Sequence, residues 1–196
     1  METTRKNSST QTMVKISILG AISALLMIFK FPLPFAPPFM TVDIGDLGVL
    51  ISGFALGPVA GVLTSAVKIL LNFIINGTTT GGVGELSNFI LSSVFVVVAS
   101  SIYNKGKSKK SAITGLVFGV FAYTVVACIS NYFVIFPLYG INLVDFTKEF
   151  AKVNSLAGTP LMFVLFSIVP FNIVKGIIVS AVTIALYKPI SRFLKK

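Results

Sequence analysis

Apolar runs of membrane-spanning length alternate with short polar segments along nearly the whole chain. A span needs about 20 mostly apolar residues. Residues 13–29, 59–75, 85–103, 112–136 and 161–187 meet or approach that length, and a shorter run, 44–56, lies between the first two. The pattern predicts an all-α membrane protein with a six-transmembrane-helix bundle over residues 13–188, a polar tail at 1–12 and a basic tail at 189–196. Pro32, Pro34, Pro37 and Pro38 forbid a helix after the first run and predict an ordered, extended loop. Gly57-Pro58 separates the second run from the third as a tight break.

Polar residues within or beside these runs are few and gather at one end of them. They are Asp43, Asp46, Glu85, Asn88, Asn131, Asn172 and Lys175, with Thr41 at the entry to the second run. Ionisable groups are costly in hydrocarbon, so those retained face a cavity, a partner or a ligand. Asn172 and Lys175 lie one turn apart on one helix face. Polar groups converging among Phe and Leu side chains have the makeup of a small-ligand pocket. Plainer roles compete: Asp43, Asp46 and Glu85 could cap helix starts, and Lys175 could pair with an internal acid such as Glu85. Lys68, midway along an apolar helix, is expected to hold an acid of the bundle.

Composition supports the membrane reading. The chain is 55% hydrophobic and 11% charged, with mean hydropathy +0.94, whereas soluble domains carry roughly 25% charged residues. The net charge of +10 does not imply nucleic acid, because the cations bracket apolar runs instead of lining one face. Arg5, Lys6 and Lys15 precede the first run, Lys105, Lys107, Lys109 and Lys110 follow the fourth, and Lys188, Arg192, Lys195 and Lys196 follow the last. With six spans these segments share one side, and the positive-inside rule makes it the cytoplasm, placing both termini there.

Histidine is absent and Cys128 is the single cysteine. An intrachain disulfide, a Cys/His metal cluster and Ser–His or Cys–His catalysis are therefore excluded. Cys128 reads as a small packing residue. No cleavable signal peptide is expected, since the first run lacks a small-residue cleavage site. Gly106-Lys107-Ser108 resembles the end of a phosphate-binding loop, but Ser101 stands where its first glycine belongs and no strand precedes it, so nucleotide hydrolysis is rejected. Gly20 with Ala24, Gly53 with Gly57, Gly57 with Gly61 and Gly115 with Gly119 repeat at the four-residue spacing of close helix contacts.

Three stretches carry a family resemblance. Asp43-Ile44-Gly45-Asp46, the run Gly53-Phe54-Ala55-Leu56-Gly57-Pro58-Val59-Ala60-Gly61, and Lys68 resemble the second and third helices of substrate-binding S-components of energy-coupling factor transporters. Residues 77–89, with Thr78, Thr80, Gly84, Glu85 and Asn88, resemble the riboflavin-specific members, as does Pro170-Phe171-Asn172-Ile173-Val174-Lys175-Gly176. The resemblance implies six helices with cytoplasmic termini, a vitamin held near the outer face and no ATP hydrolysis by this chain. It also implies a module of one transmembrane coupling protein and two ATPase subunits, and toppling of the subunit in the bilayer. An Ala-three-residues-Ala motif on the family's first helix contacts the coupling protein. Gly20 and Ala24 match it, with glycine for the first alanine.

The expectation is thus a riboflavin-binding S-component in the cell membrane, with no cofactor of its own and riboflavin as transported ligand. Asn131, Asn172 and Lys175 would meet the ring's polar atoms, with Thr41, Asp46 and Glu85 nearer the ribityl chain, and Asn88 is a further candidate contact. Three rivals are an S-component for another vitamin, disfavoured by the absence of tryptophan, a small intramembrane enzyme using Asp43 with Asp46, or Glu85 with Lys175, as acid and base, and a plain structural membrane subunit, which would not need so many polar residues at one end.

Overall fold

Seven helices and one small hairpin make up the computed structural model, which describes residues 9–194 except Thr79, and only the backbone over 188–194. Arg5, Lys6, Lys195, Lys196 and the side chains of Lys188 and Arg192, used above for orientation, lie outside the described residues. The helices are α1 (Ser9–Ile28), α2 (Asp46–Leu56), α3 (Pro58–Asn76) and α4 (Val83–Gly106). They continue with α5 (Lys109–Leu138), the short α6 (Leu143–Phe150) and α7, over residues 160–194. Among them α1, α3, α4, α5 and the 160–187 part of α7 are long and apolar enough to cross a membrane. At eleven residues α2 rises about 16 Å, roughly half of a hydrocarbon core.

The breaks follow from local chemistry. Gly57 has φ 108°, a conformation open to glycine, and Pro58 starts α3, so α2 and α3 meet at a single residue. Ser108 and Ser111 form a reciprocal cap at the start of α5. In the Pro-rich loop, a strand pair unforeseen in the sequence, β1 (Phe31–Pro32) with β2 (Thr41–Val42), closes residues 33–40 into a tight excursion. Two π-helical turns, at Asn131–Ile135 in α5 and Val164–Ile168 in α7, rotate the helix faces on either side of them.

The central core joins Leu50 and Phe54 of α2, Phe95, Val96 and Ala99 of α4, Tyr123 of α5 and Val179 of α7. Small residues sit at its contacts: Val96 fills the space beside Gly53 and Gly61, whereas a Cβ on Gly57 between them would meet nothing within 4 Å, and Gly115 and Gly119 lie against Ala99 and Phe95 of α4. Gly20 and Ala24 are both buried in the isolated chain, and a Cβ on Gly20 would stand 2.5 Å from Val67 Cγ1 of α3.

Candidate ligand cavity

One polar cavity lies where five helices and the loop ahead of α2 converge. It is lined from the C-terminal ends of α1, α3 and α5, from the N-terminal end of α4, from residues 39–43 ahead of α2, and from Phe171, Asn172 and Lys175 of α7. These ends therefore share one side of the bundle, opposite the Lys105–Lys110 turn. Of the expected site residues, Thr41, Glu85, Asn88, Asn131, Asn172 and Lys175 line this cavity and Asp46 does not.

Two buried ion pairs lie at and below the cavity floor. Lys175 Nζ donates to Asp43 Oδ2 at 2.8 Å, with both side chains 6% exposed. Asp43 Oδ1 accepts from the Gly45 amide at 2.8 Å, so its carboxylate both holds Lys175 and shapes the turn into α2. The partner of Lys175 is thus Asp43, whereas the acid suggested above was Glu85. One layer deeper, Lys68 Nζ donates to Asp46 Oδ1 at 2.5 Å and to Ser92 Oγ at 2.8 Å, while Ser92 Oγ donates to the same carboxylate oxygen. This places Lys68 with an internal acid and removes Asp46 from the lining. Asp43 and Asp46 each hold their own lysine, so they do not form an acid–base pair.

Glu85 organises the rim. Its Oε2 accepts from Thr78 Oγ1 and Thr80 Oγ1, both at 3.1 Å. Those hydroxyls in turn accept from the amides of Gly82 and Gly84. Asn131 and Asn172 each donate one amide N–H to the carbonyl four residues earlier, Ala127 at 2.8 Å and Ile168 at 2.7 Å. That leaves each carboxamide oxygen and a second N–H for the cavity. Asn131 opens one π-helical turn, and Asn172 lies one α-helical turn beyond the end of the other.

Several lining residues were not singled out in the sequence. Tyr123, Asn72, Phe39 and Tyr139 contribute to the cavity. Asn72 lies one turn beyond Lys68 within an apolar run, a signal that was available. Phe39 sits in the loop and meets the rings of Phe136, Tyr139 and Phe146 at centroid distances of 6.2, 6.2 and 6.3 Å. Burial raises the pKa of the Tyr139 hydroxyl, which leaves it a neutral donor near the rim. With the loop folded in this way the cavity encloses about 170 Å³.

Fold and cavity together define a membrane subunit that captures a small, partly apolar molecule at one end of its bundle. The family model described as ECF transporter, substrate-specific component matches residues 11–187, and the chain belongs to that family. It is a transporter component, not an enzyme. Among its relatives is the riboflavin transporter RibU of Staphylococcus aureus (strain TCH60), 40% identical over 186 residues that cover 94% of this chain and 92% of that one. The riboflavin transporter FmnP of Bacillus subtilis (strain 168) is 33% identical over 171 residues, 87% of this chain and 86% of that one. A solved S component of a bacterial ECF transporter superposes with a TM-score of 0.77 at 38% identity, covering 96% of this chain and 100% of that chain.

Proposed function

We propose that the chain is the riboflavin-capturing subunit of an energy-coupling factor importer in the bacterial plasma membrane. The observation that carries this reading is the convergence of Asn131, Asn172 and Lys175 with Tyr123 and Phe171 on one cavity, in a chain 40% identical to a riboflavin transporter. A flavin presents a flat apolar body edged with carbonyl and imide groups. The two asparagines offer matching donors and acceptors, and the aromatic and aliphatic walls cover the faces. Thr41, Glu85 and Asn88 at the rim suit the ribityl hydroxyls. Asp46 supports the site from below, by holding Lys68 and Ser92.

Pockets that take drug-sized molecules measure roughly 300–1,000 Å³, so a flavin needs more room than the roughly 170 Å³ present here, where Phe39 and Met40 of the loop are among the lining residues. Counting α2 as a crossing gives six spans over 13–188, and the positive-inside rule then puts both termini and the Lys105–Lys110 turn in the cytoplasm, with the cavity at the outer face. The partners are a transmembrane coupling protein and two ATPase subunits, which supply the energy that this chain does not generate. Titrating purified protein into riboflavin, thiamin and biotin tests the substrate. Saturable quenching of riboflavin fluorescence, with no competition from the other two, supports the reading; tight binding of thiamin or biotin in its place would reassign the pocket.

A further inference from the structure

Along the outside of the bundle the structure carries a second feature, which the capture of a vitamin does not use. A groove of about 800 Å³ runs between α5 and α7. Its walls are Val117, Phe121 and Val125 on one side and Ile173, Ile177 and Ile184 on the other. From Ile113 to Ile129 it follows α5 for about 24 Å, longer than the roughly 15 Å depth of one leaflet's hydrocarbon. Through Ile113 and Ile184 it joins a pocket of about 470 Å³ at the α4–α5 turn, where Lys107 and Lys109 form part of the lining. Both lysines are exposed, Lys105 and Lys110 flank them, and no Asp or Glu occurs between Glu85 and Asp145.

We infer that this continuous groove and pocket form a binding site for an anionic glycerophospholipid. An acyl chain would lie in the α5–α7 groove, and the phosphate would sit against Lys107 and Lys109. Charge complementarity selects this occupant. An apolar slot alone accepts any lipid tail, and lysines alone attract any anion. An apolar body in the bilayer with an anionic head at its surface matches both halves. A basic residue near an anionic membrane surface contributes on the order of 1 kcal/mol, about a fivefold effect on affinity for each lysine.

The experiment uses the full chain, delipidated in mild detergent and then offered phosphatidylglycerol or phosphatidylcholine of identical acyl composition. Retained lipid is counted by native mass spectrometry and stabilisation is read from Tm. Expected are selective retention of phosphatidylglycerol and a higher Tm. K107Q/K109Q should bind it roughly 25-fold more weakly and no better than phosphatidylcholine, while Ala181→Phe, at an exposed position lining the groove, should lose both lipids. Riboflavin quenching, read in the same samples, checks that each variant is folded. Equal retention of the two lipids by the unaltered chain, or unchanged selectivity in K107Q/K109Q, overturns the proposal. So does undiminished lipid binding by Ala181→Phe. A dimer that Ala181→Phe dissociates would put a second copy of the chain in the groove, where Thr124 and Ser180 hydroxyls lack partners among the described residues, and would also overturn it.

Discussion

Lys175 and Asp43, 132 residues apart in the chain, meet at 2.8 Å at the floor of the cavity. The pair ties α7 to the turn that opens α2, so one lysine serves the pocket and the packing at once. Removing one member of a buried pair strands the other charge, at a cost of about 3–5 kcal/mol. Lys175→Met should therefore lower the Tm of the ligand-free protein as well as weaken riboflavin binding. The double variant K175M/D43N removes both charges, keeps an acceptor oxygen for the Gly45 amide, and should recover most of the Tm without recovering affinity. Thermal melts of the two variants with and without riboflavin check this. Recovery of affinity in the double variant would reduce Lys175 to a purely structural residue.

The deeper cluster should behave differently. Lys68, Asp46 and Ser92 are buried together outside the cavity lining. Lys68→Met should destabilise by the same few kcal/mol, and Ser92→Ala by about 1 kcal/mol. Riboflavin affinity of whatever remains folded should change less than it does in Asn172→Ala. Equilibrium binding at low temperature, where the variants stay folded, separates the two effects.

On α1, a methyl group at residue 20 would press on Val67 at 2.5 Å. Overpacking of this kind costs about 1–3 kcal/mol, so Gly20→Ala should lower Tm. Ala24→Leu, at a position 1% exposed, should do the same. Reduced stability with transport and binding lost together is expected for Ala24→Leu. Normal binding and stability with uptake alone abolished would support the partner-contact reading of this face.

The loop residue Phe39 rests on three aromatic rings beside the cavity. Aromatic pairs contribute about 0.5–1.5 kcal/mol each beyond their buried area. Phe39→Ala should speed riboflavin release by roughly tenfold, with little change in association, as stopped-flow quenching would show.

The spans were legible because bilayer hydrocarbon imposes a crude, length-based rule that Val, Ile, Leu and Phe report directly. The end-wise gathering of Asn131, Asn172 and Lys175 was legible for the same reason, since each interrupts an otherwise apolar run. Partners were not. The sequence shows that Lys175 needs an acid, but Asp43 and Glu85 satisfy that need equally until the helices are placed. Gly20 likewise reveals a face suited to close approach without saying which helix approaches, and at Gly20 the neighbour is Val67 of α3. The π-helical turns, the two-residue strands and Phe39 leave no periodic trace. They arise from how the loops pack once the bundle is formed.

Orientation has its own check. In a Cys128→Ala background, Ser108→Cys should be protected from an impermeant thiol reagent in intact cells. Val153→Cys, exposed on the loop between α6 and α7, should react. The reverse pattern would invert the bundle and put the cavity at the wrong face.

The flavin content of the purified protein tests the central claim most directly. Protein expressed in riboflavin-containing medium and purified in mild detergent should be yellow. Denaturation should release one flavin per chain, chromatographically identical to riboflavin and without phosphate. Colourless protein that leaves the fluorescence of added riboflavin unchanged, while remaining folded by thermal melt, would contradict it.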